Sequence, residues 1–305
     1  MRVYSAADVH AALSWEALAR ALETAFGAGA QVPLRHAHAL SARDTLLLMP
    51  AWNARVIVLK AVTVMPEAPS TVQATVLVLD RASGEALALL DGEALTLRRT
   101  AATSALAARL LARPDARTLL MVGPGRLGGW MARAHAALRP GLSVLVWGRR
   151  AEAAEALART LADEGLAATA VRGLEAAVRA ADIVCCATTS AEPIVRGAWL
   201  APGTHLDLVG AFKPTMREVD DDAVARSRIV VDTYAGALVE AGDLVQPLAR
   251  GVVTRDAIAA ELGELLRGLR PGRTSASDIT LFKSVGTALE DLAAAQAVLD
   301  SAGRG

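Results

Sequence analysis

Four apolar residues run into three glycines at Leu119–Gly128, Leu-Leu-Met-Val-Gly-Pro-Gly-Arg-Leu-Gly, and an alanine-rich stretch of helical periodicity follows. The order reads as strand, tight turn, helix, and it constrains the fold more than any other stretch of the chain. Gly123, Gly125 and Gly128 have the spacing of a dinucleotide-binding turn. There the first glycine permits the turn, the second lets backbone approach a pyrophosphate, and the third allows helix and strand to pack closely. The phosphates would sit on free N–H groups at the helix N-terminus, where the helix dipole also favours negative charge. Gly123, Pro124, Gly125, Arg126, Leu127 and Gly128 are therefore the first candidate cofactor contacts.

About twenty residues past these glycines, at the end of the next strand, an acidic side chain would bind the ribose 2′-hydroxyl of NAD. The sequence has Val146-Trp-Gly148-Arg149-Arg150 instead. Two guanidinium groups and no carboxylate suit a 2′-phosphate, because arginine presents a fork of charge-assisted donors. The expected cofactor is NADPH, with NADH the weaker alternative. Thr188 and Thr189 follow a later strand end, where open parallel sheets bind ligands, and join the cofactor candidates.

The pattern around the turn supports this. After it, strands at Ser143–Trp147, 168–172, Asp182–Cys186, Thr204–Val209 and Arg228–Val231 alternate with helices at 150–164 and 173–181. Such alternation predicts a doubly wound parallel sheet, an α/β fold. Before it, a helix over 14–28 with Ser14 as N-cap leads into extended segments at 33–40, 45–51, 55–64, 72–80 and 85–90. Several are apolar on both faces, which predicts a mostly antiparallel sheet covered by helices, closed by a helix over 96–112. Beyond residue 250 the spacing predicts helices at 254–267 and 279–299 and no further strand, the last helix returning to the first domain.

With 305 residues the chain is long enough for two domains, and 32 basic against 32 acidic residues leave no net field to attract nucleic acid or an anionic membrane. Charged residues interrupt every apolar run before membrane-spanning length, and the N-terminal stretch has no signal-peptide pattern, so the cytoplasm is expected. The two cysteines, Cys185 and Cys186, are adjacent, which excludes a disulfide framework and offers no metal spacing. No metal site is expected.

In the first domain Arg35, Lys60 and Arg99 stand on or beside predicted element ends, and Lys60 interrupts the apolar strand Val56-Ile-Val-Leu-Lys-Ala-Val. Burying it is costly without a partner. An anionic ligand and a structural ion pair both meet that need, and spacing alone leaves both open.

The blocks Leu48-Met-Pro-Ala-Trp, Leu59-Lys60-Ala-Val, Val72-Gln73-Ala-Thr-Val-Leu, Leu90-Asp-Gly, Arg99-Thr-Ala-Ala-Thr-Ser-Ala, the Gly123–Gly128 turn, Gly210-Ala-Phe-Lys-Pro-Thr-Met-Arg-Glu218 and Leu281-Phe-Lys-Ser-Val-Gly occur in that order. In them the chain resembles the ornithine cyclodeaminase and mu-crystallin family, from near residue 1 to near residue 300. The resemblance implies a homodimer, with a discontinuous α+β substrate-binding and dimerisation domain at 1–112 plus 285–305 and a Rossmann-type NADP-binding domain at 113–284. It implies that Arg35, Lys60 and Arg99 bind a substrate carboxylate, that Lys60 is a candidate for proton transfer, and that Gln73 is a supporting contact. The cyclodeaminase branch has an aspartate soon after its glycine pair, where this chain has Phe212. That departure, with Arg149 and Arg150, favours a net reductase of small cyclic ketimines, 1-pyrroline-2-carboxylate or 1-piperideine-2-carboxylate. The alternatives are an ornithine cyclodeaminase, an amino-acid dehydrogenase or a cofactor-dependent ligand-binding protein.

Overall fold

The computed structural model describes residues 1–28 and 32–303, and its chain forms two compact units, 1–100 with 286–305, and 101–285. The first unit opens with β1 (Arg2–Tyr4), α1 (Ala6–Ala12) and α2 (Trp15–Ala28), which carries Leu18, Leu22 and Phe26 buried on one face. The hydroxyl of Ser14 accepts from the Ala17 N–H at the start of α2. Strands β2 (His36–Ala39), β3 (Thr45–Trp52), β4 (Val56–Val64), β5 (Val72–Asp80) and β6 (Ala86–Asp91) follow. They form a sheet of order β1-β6-β5-β4-β3-β2, antiparallel except for the β1–β6 pair.

Helix α3 (Gly92–Leu111) starts four residues earlier than periodicity predicts. The Asp91 carboxylate accepts from the Ala94 N–H at 2.8 Å and caps the first turn. A Cβ on Gly92 would lie 2.6 Å from the Ala74 carbonyl carbon, so only glycine lets the helix begin against β5.

The second unit contains β7 (Thr118–Val122), α4 (Arg126–Leu138), β8 (Ser143–Trp147), α5 (Ala151–Asp163), β9 (Ala168–Ala170), α6 (Leu174–Ala180), β10 (Ile183–Cys186) and β11 (His205–Leu208). Then come α7 (Asp221–Ala225), β12 (Ser227–Val231), α8 (Tyr234–Glu240), α9 (Gly242–Ala249), β13 (Ile258–Glu261), α10 (Leu262–Leu266) and β14 (Ile279–Lys283). Its eight strands are parallel, in the order β13-β12-β14-β11-β10-β7-β8-β9. This is the doubly wound α/β sheet expected, with the order reversing between β7 and β10.

The C-terminal expectation needs correction. Residues 254–267 are not one helix but a single turn, strand β13 and the short α10, and 279–299 divides into β14 and α11 (Ala288–Ala302). Both strands continue the parallel sheet, β14 lying between β11 and β12. Periodicity cannot separate a short apolar run from a buried helical segment, and every residue of β14 is buried. Gly286, at φ +81°, and the Thr287 capping box then fix where α11 begins. Within the first unit α11 packs on α2 and on β3, β4 and β5. No helix among the described residues is long and apolar enough to cross a membrane.

Candidate active site

In the second unit a cleft of about 680 Å³ opens at the carboxyl ends of β7, β8 and β10. Gly123, Pro124, Gly125, Arg149, Arg150, Thr188 and Thr189, seven of the candidate cofactor contacts, line it. The three glycines differ in what surrounds them. Gly123 has φ +105° and a Cβ there would sit 2.7 Å from the Ala187 carbonyl oxygen; a Cβ on Gly128 would sit 2.2 Å from the Gly123 oxygen. Gly125 has nothing within 4 Å of the position of a Cβ.

The first glycine thus makes the turn, the third lets α4 close on it, and the second faces open space that a pyrophosphate could fill. Gly125 is also the N-cap of α4 and supplies no side-chain acceptor, which leaves N–H groups of the first turn for an anion. Arg126 is exposed and Leu127 half-buried in that turn. Gly148 allows the Pro124 ring to approach, since a Cβ would lie 2.6 Å from it, and this seats exposed Arg149 and Arg150 at the cleft wall. These donors fit a dinucleotide.

Sequence reasoning missed the brace behind this wall. Glu218, fully buried, accepts from the Thr188 N–H at 2.7 Å and hydroxyl at 2.9 Å with one oxygen, and from the Gly210 N–H at 2.7 Å with the other. It ties the loop after β10 to the loop after β11. Burial raises its pKa, and Lys283, paired with Asp243 at 3.1 Å, opposes that shift. The glutamate lies six residues beyond Phe212 in a block the resemblance highlights, but nothing in the spacing assigned it a task. A second buried network joins Ser104, Asp207 and His135, the histidine Nε2 lying 2.9 Å from the carboxylate. Cys185 Sγ is near these groups, but the carboxylate is already engaged by both partners.

In the first unit Arg35, Lys60 and Arg99 come together around the start of α11. Lys60 sits on the inner sheet face between Met49 and Val76 and is 2% exposed. Its Nζ is 2.8 and 2.7 Å from the two oxygens of Asp291. Arg99 donates from Nε to Asp291 at 3.1 Å and from a terminal nitrogen to Glu290 at 2.5 Å. Arg35 donates to the Gly286 carbonyl at 2.7 Å. Of the two partners the sequence leaves open for Lys60, an anionic ligand and a structural ion pair, the ion pair is present.

Burial pushes the Lys60 pKa down to about 8, assisted by the Arg99 charge and opposed by Asp291 and Glu290. Burial disfavours the Asp291 carboxylate too, yet Lys60 and Arg99 outweigh that and hold its pKa below the usual value. The cluster thus sets Arg35, Lys60 and Arg99 beside Glu290 and Asp291 at the start of α11.

Gln73 is not brought to this cluster. It pairs with Thr63 in a regular register in which Lys60 pairs with Val76, so strand alternation puts it on the other sheet face, exposed. The spacing between blocks carries no information on that parity. His36 and His38 are exposed on β2, and Phe212 is 42% exposed.

The pattern of the ornithine cyclodeaminase/mu-crystallin family matches residues 1–305. The chain belongs to that family. The Delta(1)-pyrroline-2-carboxylate reductase of Colwellia psychrerythraea is 35% identical, the match covering 98% of this chain and 99% of that one. The Delta(1)-pyrroline-2-carboxylate reductase of Thermococcus litoralis, solved in complex with NADH and L-proline, superposes with a TM-score of 0.94 at 32% identity, over 100% of this chain and 98% of that one. An archaeal alanine dehydrogenase dimer with bound NAD has a TM-score of 0.93 at 28% identity, over 100% and 96% of the two chains.

Proposed function

We propose that this protein is a cytoplasmic, NADPH-dependent reductase of small cyclic ketimines, converting 1-pyrroline-2-carboxylate to L-proline, 1-piperideine-2-carboxylate to L-pipecolate, or both. The observation that carries the reading is the convergence of Arg35, Lys60 and Arg99 on the start of α11. The relatives named for this reaction on pyrroline carboxylate support it. The cofactor, when bound, supplies a hydride to C2 of the imine. Arg35 and Arg99 hold the substrate carboxylate and fix the ring, a positional contribution that can reach several kcal/mol. The carboxylate neutralises much of the field of the cations, which would otherwise oppose positive charge at the ring nitrogen. Lys60 then gives its proton to that nitrogen and is recharged from solvent, so hydride plus proton yields the secondary amine.

Arg149 and Arg150 at the cleft wall support NADPH over NADH, although the structures compared hold NADH and NAD. The protein functions as a homodimer through the outer face of the first unit's sheet. Leu48, Ile57, Leu59, Leu77 and Leu89 share that face and are half-exposed, a broad apolar surface of the kind that marks subunit contact. Exposed Phe212, where the cyclodeaminase branch has an aspartate, disfavours ornithine conversion. The test is NADPH oxidation with the five- and six-membered imines, beside ornithine with catalytic NAD and open-chain keto acids with ammonia. Oxidation with an imine supports the reading. Inactivity on both imines, ammonia release from ornithine, or faster oxidation with an open-chain keto acid and ammonia overturns it.

A further inference from the structure

Arginine is this chain's default cation: only Lys60, Lys213 and Lys283 are lysines among its 32 basic residues. Two of the three are fully buried, each on an aspartate. Arginine stays charged at any working pH, whereas a buried lysine can give up its proton. A lysine at position 60 therefore provides something the surrounding arginines do not, and its surroundings indicate how it is kept ready.

Both oxygens of Asp291 reach Lys60 Nζ, and one of them also receives Arg99 Nε. Asp291 lies in the first turn of a fifteen-residue helix, where the helix dipole offsets part of the cost of a buried carboxylate. The other charges facing Lys60 are Glu290 from α11 and Arg99 from α3. Arg35, from the segment before β2, holds the Gly286 carbonyl just ahead of α11. The flanking strands present Met49 and Val76, which are apolar.

We propose that Asp291 is a positioning residue for the reduction, the counter-ion that keeps Lys60 as an ammonium and registers it against Arg99. This rests on the ketimine reductase reading. Without the carboxylate, Lys60 would face Arg99 and a dry site, both of which favour the neutral amine. The ammonium is the donor, so turnover falls as pH rises through the Lys60 pKa, and Asp291 sets where that fall begins.

Two measurements test it together. With 13Cε-labelled lysine the protein gives three lysine signals, assigned by Lys213→Arg and Lys283→Arg. Lys60 should titrate near pH 8 in the parent protein. In Asp291→Asn its midpoint should fall by about one pH unit or more, with the Lys283 signal unmoved. The alkaline limb of kcat with NADPH and 1-pyrroline-2-carboxylate should move by the same amount: about a fivefold loss at pH 8 for a one-unit shift and little loss at pH 6. Asp291→Glu, which keeps the charge if the asparagine variant does not fold, should hold the limb within about half a unit of the parent. An equal loss at every pH, an unmoved limb or Lys60 signal in Asp291→Asn, or a limb displaced by Asp291→Glu overturns the proposal. A parent protein that reduces neither imine overturns the functional reading instead; the NMR titration, which needs no substrate, separates the two failures.

Discussion

Replacing Arg149 and Arg150 together by alanine should move the cofactor preference of this protein and nothing else. Both side chains are exposed at the wall of the cleft, and Gly148 holds the loop against Pro124 independently of them. Their removal should change folding stability by less than about 0.5 kcal/mol. A hydrogen bond to a charged group contributes about 1.5–3 kcal/mol where it is desolvated, and solvent at this wall reduces that to about 1–1.5 kcal/mol for each arginine. The pair then accounts for about 2–3 kcal/mol toward a 2′-phosphate, which is roughly 30- to 150-fold in Kd. Fluorescence titration of both cofactors reads this directly. NADPH should weaken by that factor while NADH changes less than about threefold, and the parent's NADPH Kd should rise with salt whereas its NADH Kd should rise less. Equal losses for both cofactors, or no loss for NADPH, would refute the assignment of these arginines to the phosphate.

Lys60→Ala should reduce kcat by about 10²–10⁴, the range for a positioned proton donor, and leave the NADPH Kd within about twofold; steady-state kinetics with parallel cofactor titration separates the two. Gly128→Ala should weaken both cofactors at least about tenfold and destabilise the fold by about 1–3 kcal/mol, because its Cβ meets the Gly123 carbonyl oxygen at 2.2 Å. Thermal melts with and without cofactor would show it. Burial pushes the His205 pKa down from the ordinary histidine value of about 6.5 to about 3. The unfolded chain therefore binds a proton there that the folded one does not, and stability falls as pH drops from about 6.5 toward 3, by about 4 kcal/mol from this group alone. Urea melts across that range should be flatter in a folded His205→Asn variant.

Much of this site was legible before the fold was known. Gly123 and Gly128 announce a turn because each removes a different clash, Gly125 between them leaves open space, and the absence of an acid at Gly148-Arg149-Arg150 is visible in one line of sequence. The sheets followed from strand patterns of ordinary length. What escaped was decided by distant partners. β14 is a five-residue strand whose place inside the parallel sheet buries every residue, and β13, four residues at the sheet edge, is too short for its alternation to stand out. Reading 279–299 as one helix also hid the start of α11, and with it the reason Glu290 and Asp291 face Lys60 and Arg99 across 190 residues of sequence or more. Gln73 failed on parity, which a register fixes and a block spacing does not. Glu218 carries no local signature, since its work is to receive N–H groups from two loops.

The central claim is net reduction, as opposed to a hydride lent and returned. It is tested most directly by a single turnover of 1-pyrroline-2-carboxylate with NADPH deuterated on the transferred face of C4. The account predicts one L-proline per NADPH consumed, carrying one deuterium at C2. Unlabelled proline, or proline formed from ornithine with ammonia released and the cofactor returned to its starting state, would contradict it.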